Sequence, residues 1–252
     1  MTTATCAICS VALTRRWRNY RGVLVCTGHS DMPTCTFCFA PAPHHEHNFR
    51  YCTRCRGEAV DDNTARSIAA EVMTRLSEVG VTFAVRPTFR ISDGTDRPTA
   101  FEGQGVLGWT SSRSIKGRPT SIEVVLRRGL TTEECAETFA HEVGHAYARS
   151  YGLRHSLLEE GFCEAIAYFY LLQYVPGSEA QRQRIIKRAD DYGDAFRTAA
   201  TTIRSDGITT LLSQLRDDPA TRCPATADRC SRVKRSGTDA DFTTEYASGG
   251  NP

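Results

Sequence analysis

Two stretches of the chain carry apolar residues at helical spacing. In residues 61 to 80, the apolar positions recur every three or four residues, at Ile68, Val72, Leu76 and Val79. This period predicts an amphipathic helix, which Asp61 or Asp62 can cap and Gly80 can end. Residues 156 to 175, SLLEEGFCEAIAYFYLLQYV, are apolar over a longer run and predict a second helix.

Strand patterns lie between these helices. The segment VTFAVR predicts a short strand bounded by Pro87, and residues 106 to 109 and 122 to 126 are the other strand-like runs. The last of these, IEVVL, is expected to be an edge strand that could align an extended peptide through main-chain hydrogen bonds. Thr131 and Glu134 have the spacing of a capping box at the start of the helix that follows.

Length and composition suggest how the chain is divided. With 252 residues, of which 40% are hydrophobic, it can bury a core of ordinary size and is expected to be globular. Residues 217 to 252 are poor in apolar residues and lack any period, which predicts a disordered tail. We therefore expect a cysteine-rich module at residues 1 to 60, a main domain at residues 61 to 216 and this tail.

The start of the chain and its charge narrow the classes of function. The first residues, MTTATCAICSVALTRRW, lack the apolar run of a signal peptide, and no apolar stretch is long enough to cross a membrane. A cytoplasmic location is therefore expected. The formal net charge of +2 gives no general case for nucleic-acid binding, which stays a weak third possibility for the arginine-rich first 60 residues.

Cysteine pairs dominate the first module. Cys-X-X-Cys and Cys-X-X-His pairs lie between residues 6 and 55, and this spacing lets both side chains of a pair face one metal ion. Taken in sequence order, they predict two structural zinc sites, formed by Cys6, Cys9, Cys26 and His29 and by Cys35, Cys38, Cys52 and Cys55. The metals are expected to supply most of the folding energy of this small module. His44, His45 and His47 are expected in a surface loop, because their segment is polar and turn-prone.

The segment HEVGH carries the chemistry of the main domain. His141 and His145 are four residues apart, so on a helix they project from one face and could bind one zinc ion. Glu142 lies beside that face and could act as the general base that activates a water molecule. The motif predicts a catalytic zinc, which also needs a third protein ligand and an open position.

The third ligand is sought downstream of the motif. One arrangement known from zinc peptidases requires Gly three and His six residues after the second histidine, but Ala148 and Tyr151 occupy those positions. The other arrangement places a glutamate on the following helix, where Glu159, Glu160 and Glu164 are candidates. We prefer Glu160 as the ligand. One turn further on, Glu164 could accept the free N–H of a zinc-bound histidine or could be an acid at the helix surface or packing rim. Glu159 is expected to be an acid of the second kind, at the surface or packing rim.

Other polar side chains near the motif have less specific roles. Cys135 and Cys163 are expected in the core, because a free cysteine behaves as a small hydrophobe. Peptide hydrolysis also needs a donor for the developing oxyanion. Each of the conceivable donors is expected to be a packing aromatic or a loop residue; they are Tyr147, Tyr168, Tyr170 and His155.

The order of these features resembles a known peptidase family. A LIM-like cysteine module, a connecting helix, and then FAHEVGHAY and EEGFCEAIAYFY are similar to the LIM-domain gluzincin peptidases, known from plants as ubiquitin-activated regulators of organ growth. The resemblance covers roughly residues 6 to 175. It implies an α+β, zincin-type fold with a small sheet ahead of two metal-binding helices, and it favours Glu160 as the third ligand. The chain differs in having a single LIM-like module and no evident ubiquitin-interacting helix.

Two functions are consistent with this pattern. The first is a zinc-dependent endopeptidase for a protein or peptide substrate, with two structural zinc ions and one catalytic zinc ion beside Glu142. The second is an inactive adaptor that binds a protein partner through the LIM-like module. The sequence indicates neither the substrate, nor an activator, nor the oligomeric state.

Overall fold

The computed structural model describes residues 4–14, 17–20, 23–29, 31–36, 38–46, 49–93, 95, 106–115, 118–153, 156–217 and 244–246. In chain order the elements are β1 (Trp17–Tyr20), β2 (Val23–Cys26), a 3₁₀ turn (Thr27–His29), β3 (His44–Glu46), β4 (Phe49–Tyr51), α1 (Thr53–Gly57), α2 (Asp62–Glu78), β5 (Thr88–Ser92), β6 (Gly108–Ile115), β7 (Arg118–Arg127), α3 (Thr132–Ser150), α4 (Leu157–Tyr174), α5 (Glu179–Ile186), α6 (Asp191–Asp206), α7 (Ile208–Asp217) and β8 (Thr244–Tyr246). The fold class is therefore α+β, with small sheets and several helices. The chain divides into two compact units, and the first major boundary between them follows Ala59.

The first unit is built from short strands and cysteine-bearing turns. Strands β2, β1 and β8 form one antiparallel sheet in that order, and β3 and β4 form a separate hairpin. The loop predicted for the histidine triplet is wrong for two of its members, because His44 and His45 lie in β3 and pair with Tyr51 and Arg50. His47 lies outside the described residues.

The second unit contains a three-stranded sheet, which follows α2 in the chain. Its strand order is β5-β7-β6, with β5 parallel and β6 antiparallel to β7. The predicted edge strand IEVVL is therefore wrong, because it forms part of the central strand β7. Its apolar run, with Ile122, Val124, Val125 and Leu126 all buried, is typical of a strand covered on both faces. The edge strand next to it is β6.

The strand predicted at VTFAVR does not form. Residues 81 to 87 have no regular structure, and β5 begins at Thr88, directly after Pro87. Proline lacks the N–H that a ladder needs and is tolerated next to the first residue of a strand, so Pro87 precedes a strand instead of ending one.

Helices α2 and α3 begin where the sequence predicts. The Asp61 side chain accepts a hydrogen bond of 2.7 Å from the N–H of Thr64, and Thr131 accepts one of 3.4 Å from the N–H of Glu134. The buried face of α2 differs from the predicted one in part. It consists of Ala65, Ala69, Val72 and Leu76, whereas Val79 is 42% exposed.

Helix α4 is the centre of the second unit and packs between α3 and α6 through two glycines. A Cβ atom at Gly144 of α3 would lie 2.7 Å from Cys163 Sγ and 3.0 Å from Cys163 Cα. A Cβ atom at Gly161 of α4 would lie 2.4 Å from the carbonyl oxygen of Ala195 in α6. Both distances are too short for a side chain, so each glycine permits the close approach of two helix backbones.

Two further predictions are that no segment crosses a membrane and that residues 217 to 252 form a disordered tail. Among the described helices, none combines the length and the apolarity that a membrane span requires. Of the predicted disordered tail, the structure describes Asp217, which ends α7, and strand β8, which pairs with β1. The other residues of that segment lie outside the described part of the chain.

Candidate metal centres

The two predicted cysteine sets each come together in the first unit. In each set, every residue places one possible ligand atom within 4.8 Å of the others; the sets are Cys6, Cys9, Cys26 and His29, and Cys35, Cys38, Cys52 and Cys55. Each set could therefore hold one metal ion. The two sets are the same as those predicted by taking the pairs in sequence order. In the first set, Cys26 ends β2 and His29 lies in the turn that follows it.

Backbone amides and an unsatisfied nitrogen make the first set suitable for a metal ion. The N–H groups of Ile8 and Cys26 each lie 3.5 Å from Cys6 Sγ. Burial raises the pKa of the Cys6 thiol, but these amides and that of Cys9 outweigh burial and lower the pKa to about 6. Within the described part of the chain, the buried Nε2 of His29 has no hydrogen-bond partner. A metal ion would satisfy it.

The second set is more deeply buried than the first. All four thiols are enclosed, Cys38 Sγ lies 3.5 Å from Cys52 Sγ, and the N–H of Cys55 donates to Cys52 Sγ over 3.3 Å. Contacts among the thiols lower the pKa of Cys35 and raise the pKa of Cys38 and Cys55. A thiolate opposes the ionisation of the thiols next to it. All four enclosed thiols can therefore be ionised together only with a cation between them.

A third donor set lies between α3 and α4 in the second unit. His141 and His145 project from one face of α3, and their ring centroids are 4.9 Å apart. From α4, Glu160 Oε2 lies 3.7 Å from His141 Nε2, and Glu160 Oε1 lies 3.6 Å from His145 Nε2. The ligands of a tetrahedral zinc ion are about 3.3 Å apart. Small side-chain rotations would reach that spacing, so the three residues fit one metal ion.

Cys163 adds a thiol to this set. One ring nitrogen of His141, one of His145 and Cys163 Sγ all lie within 4.8 Å of one another. Cys163 is 0% exposed, in agreement with its expected place in the core, and burial raises the pKa of its thiol to about 12. Its position beside the histidines could not be predicted from the sequence, because a cysteine in an apolar helix is ordinarily a packing residue.

Glu159 is a functional candidate that sequence reasoning missed. The expectation of a surface position is wrong, since Glu159 is 0% exposed and its Oε1 lies 2.7 Å from His145 Nδ1. Arg149 Nη1 lies 3.5 Å from the other carboxylate oxygen. The physical reason is that α4 is buried from Glu159 to Tyr168, so that its first turn is already covered on this face. A carboxylate at this place fixes the tautomer and the orientation of a metal-binding histidine.

Glu164 lies further from the histidines than Glu159 does. Its Oε1 is 4.0 Å from His141 Nδ1, which is longer than a hydrogen bond, and 2.6 Å from Arg188 Nη1. The ion pair with Arg188 joins α4 to the segment before α6. The contact that was expected of Glu164 is made at His145 by Glu159 instead.

Thr110 of β6 holds the carboxylate of Glu142. Its hydroxyl oxygen lies 2.8 Å from Glu142 Oε2 and 2.9 Å from the main-chain oxygen of Glu142. The single hydroxyl proton can be donated to either acceptor. Glu142 itself is only 6% exposed. No sequence signal indicates Thr110, because the contact depends on the register that sets β6 against α3.

The charges around His145 favour a cation. Burial lowers its pKa, but Cys163, Glu159 and Glu160 outweigh burial and raise the pKa well above its ordinary value. The two carboxylates among these groups would also attract a metal ion.

The aromatic candidates for an oxyanion donor are packing residues. Tyr147 is fully buried against Phe162, with ring centroids 5.6 Å apart, and Tyr168 packs against Phe196 at 5.4 Å. Burial raises the pKa of Tyr170 to about 12. His155 lies outside the described residues.

Comparison of the chain with protein-family models, with curated proteins and with solved structures finds no match.

Proposed function

We propose that this protein is a zinc-dependent peptidase whose active site lies between α3 and α4. The observation that carries the proposal is a donor set formed by His141, His145 and Glu160, with the buried Glu142 following His141 on the same helix. Two imidazoles and one carboxylate are the ligands that catalytic zinc sites commonly use. A base held next to them is the further group that hydrolysis requires.

The metal and the base have separate tasks in this proposal. When bound, zinc supplies a Lewis acid that polarises a peptide carbonyl and makes a water molecule acidic enough to act near neutral pH. Glu142 accepts the proton of that water and later delivers it to the amine that leaves. When Thr110 donates its hydroxyl proton to the carboxylate of Glu142 over 2.8 Å, it helps to orient that base.

Glu159 prepares His145 for metal binding. By accepting a hydrogen bond from Nδ1, it assigns the ring proton to that nitrogen and leaves Nε2, which lies 3.6 Å from Glu160, as the donor to the metal. The enclosed position of Glu159 makes this contact insensitive to solvent.

Strand β6 supplies a place for an extended substrate. It is an edge strand of the three-stranded sheet, and Thr110 on this strand contacts Glu142. A peptide added to that edge by main-chain hydrogen bonds would run past the base. This favours a protein or peptide substrate over a small molecule.

The two sets of the first unit are proposed to hold structural zinc ions. Each offers four protein donors, which leaves no open position for chemistry. Their role is to stabilise the LIM-like module, which could bind a protein partner.

Metal content and hydrolysis together test the proposal. We expect elemental analysis to find one zinc ion fewer per chain in His141→Ala than in the wild type, with two remaining. The wild type should cleave members of a peptide library, and Glu142→Gln should retain its zinc while losing about 10²-fold to 10⁴-fold in rate. Full activity in Glu142→Gln would contradict the mechanism.

The same experiment separates the peptidase from an inactive adaptor. Equal zinc content in the wild type and in His141→Ala would show that the third site binds no metal, and the adaptor function would then be favoured.

A further inference from the structure

A buried thiol stands beside the two histidines of the proposed catalytic site. Cys163 Sγ and one ring nitrogen from each of His141 and His145 lie within 4.8 Å of one another, and Glu160 lies on the same helix one turn before Cys163. Glu160 is not a member of that mutually close group, but its carboxylate oxygens lie 3.7 Å from His141 Nε2 and 3.6 Å from His145 Nε2, so four possible protein donors surround the two imidazoles. Four protein ligands are typical of closed structural zinc sites, whereas catalytic sites keep one position open.

The packing of the two helices brings the thiol to this position. A Cβ atom at Gly144, within the HEVGH motif, would lie 2.7 Å from Cys163 Sγ. The sulfur therefore occupies the space beside the α3 backbone that a side chain at position 144 would fill. It also lies within 4.8 Å of a ring nitrogen of His145. The lack of a side chain at Gly144 consequently leaves the space that the Cys163 thiol fills.

Cys135 is a second buried cysteine, and it serves as a comparison because its role is one of packing alone. It is also buried, at 1% exposure, and burial also raises the pKa of its thiol to about 12. Burial therefore does not distinguish the two cysteines. They differ in surroundings, because Cys163 belongs to a group of possible metal ligands and Cys135 belongs to none found among the described residues.

We propose that the Cys163 thiolate is the fourth protein ligand of the metal in the resting protein. This inference rests on the proposed function and adds a form of regulation to it. On binding, a bond forms between sulfur and metal, the S–H bond breaks and its proton passes to solvent, with no change of oxidation state. The position that hydrolysis needs is then closed, and the peptidase is latent until the sulfur leaves the metal.

Cadmium-113 NMR on the full-length chain tests this inference site by site. Cadmium replaces zinc in sites of this kind, and its chemical shift moves upfield when a sulfur ligand is lost. We expect three signals from the wild type. In Cys163→Ala one signal should move upfield while the other two stay, and the matched variant Cys135→Ala should leave all three unchanged. Cys163→Ser, which keeps the size of the side chain, serves if the alanine variant does not fold.

Activity of the zinc-loaded protein gives a second readout. Removing the fourth ligand opens the coordination position, so Cys163→Ala should cleave peptides several-fold faster than the wild type. Cys135→Ala should not. A cysteine that only packs against Gly144 would change stability without raising the rate.

The possible failures are distinguishable. Three cadmium signals that all stay in place in Cys163→Ala would overturn the fourth-ligand proposal while leaving the peptidase proposal intact. Two signals in the wild type, unchanged in His141→Ala, would show that the third site binds no metal and would overturn both.

Discussion

In the first unit the candidate metal ligands are a large part of the buried interior, whereas in the second unit they lie between helices that other residues already pack. Among the described residues, the buried interior of the first unit consists of five cysteines, the rings of Phe49 and Tyr51, and a few small aliphatic residues. The second unit buries Phe139, Phe162, Ile166, Leu171, Leu211 and Leu215, none of which is a possible ligand. The same side-chain chemistry therefore serves folding in one unit and is available for reaction in the other.

The two units also differ in how their ligands are positioned. The cysteines of the first unit lie on short strands and turns, and the ion itself must complete their arrangement. His141, His145 and Glu160 lie on long helices whose spacing is fixed by Gly144 and by apolar contacts. A site of the second kind can be nearly complete before the metal arrives, which is the requirement for precise catalysis.

Loss of a structural metal ion should produce the largest difference in folding between the two units. In Cys35→Ser the second cysteine set loses a ligand, and structural zinc sites of this kind contribute about 10–16 kcal/mol of apparent binding free energy. We expect the first unit to lose its protection from amide hydrogen exchange and from proteolysis, while α3 and α4 keep theirs. His141→Ala is the control, and it should leave both units folded. Unfolding of both units in Cys35→Ser would contradict the comparison.

Changes in helix packing should affect the second unit without involving the metal. In Gly161→Ala the new Cβ would meet the backbone oxygen of Ala195 at 2.4 Å, and backbone cannot give way as a flexible side chain can. We expect the free energy of unfolding to fall by about 3 kcal/mol, the upper part of the range for overpacked cores. Gly57→Ala, which would meet no atom within 4 Å, is the control. Chemical denaturation measures both, and equal stability of the two variants would show that α4 and α6 are less closely packed.

Sequence reasoning succeeds in this protein where the determinants are local. The cysteine sets, the helix caps at Asp61 and Thr131 and the extent of α4 depend on residues close together in the chain. It fails for Glu159, because burial of that side chain depends on α3 and α6, and it fails for the strand order, because β7 becomes central only through its pairing with β5 and β6. Thr110 and Cys163 become candidates only once strand register and helix spacing are known.

The two carboxylates nearest the histidines should differ in their effect on metal binding. Glu159→Gln replaces the acceptor that lies 2.7 Å from His145 Nδ1, and we expect the metal affinity of the third site to fall about 10-fold to 100-fold. Glu164→Gln is the matched control. Since its Oε1 lies 4.0 Å from His141 Nδ1, the loss should be smaller. Competition with a chromophoric chelator measures both affinities, and a larger loss in Glu164→Gln would reverse the assignment of the two residues.

Removal of the Thr110 hydroxyl should produce the smallest of these effects, and it should be confined to the rate. In Thr110→Val the carboxylate of Glu142 loses the hydrogen bond of 2.8 Å, and a hydrogen bond to a charged group contributes about 1.5–3 kcal/mol. If part of that energy orients the base, kcat should fall about tenfold, equivalent to about 1.4 kcal/mol, with little change in KM. Steady-state kinetics on a cleavable peptide measure the two constants separately.

Thr110→Ser distinguishes orientation of the base from packing. Serine restores the hydroxyl but lacks the methyl group, so it should recover most of kcat if the hydrogen bond matters. If the methyl group matters, Thr110→Ser should be as slow as Thr110→Val or slower. Zinc content should equal that of the wild type in both variants, because Thr110 contacts the base and is not one of the metal donors. Loss of zinc in either variant would show that Thr110 also holds α3 in position. The metal ligands and the base would then not be positioned independently of each other.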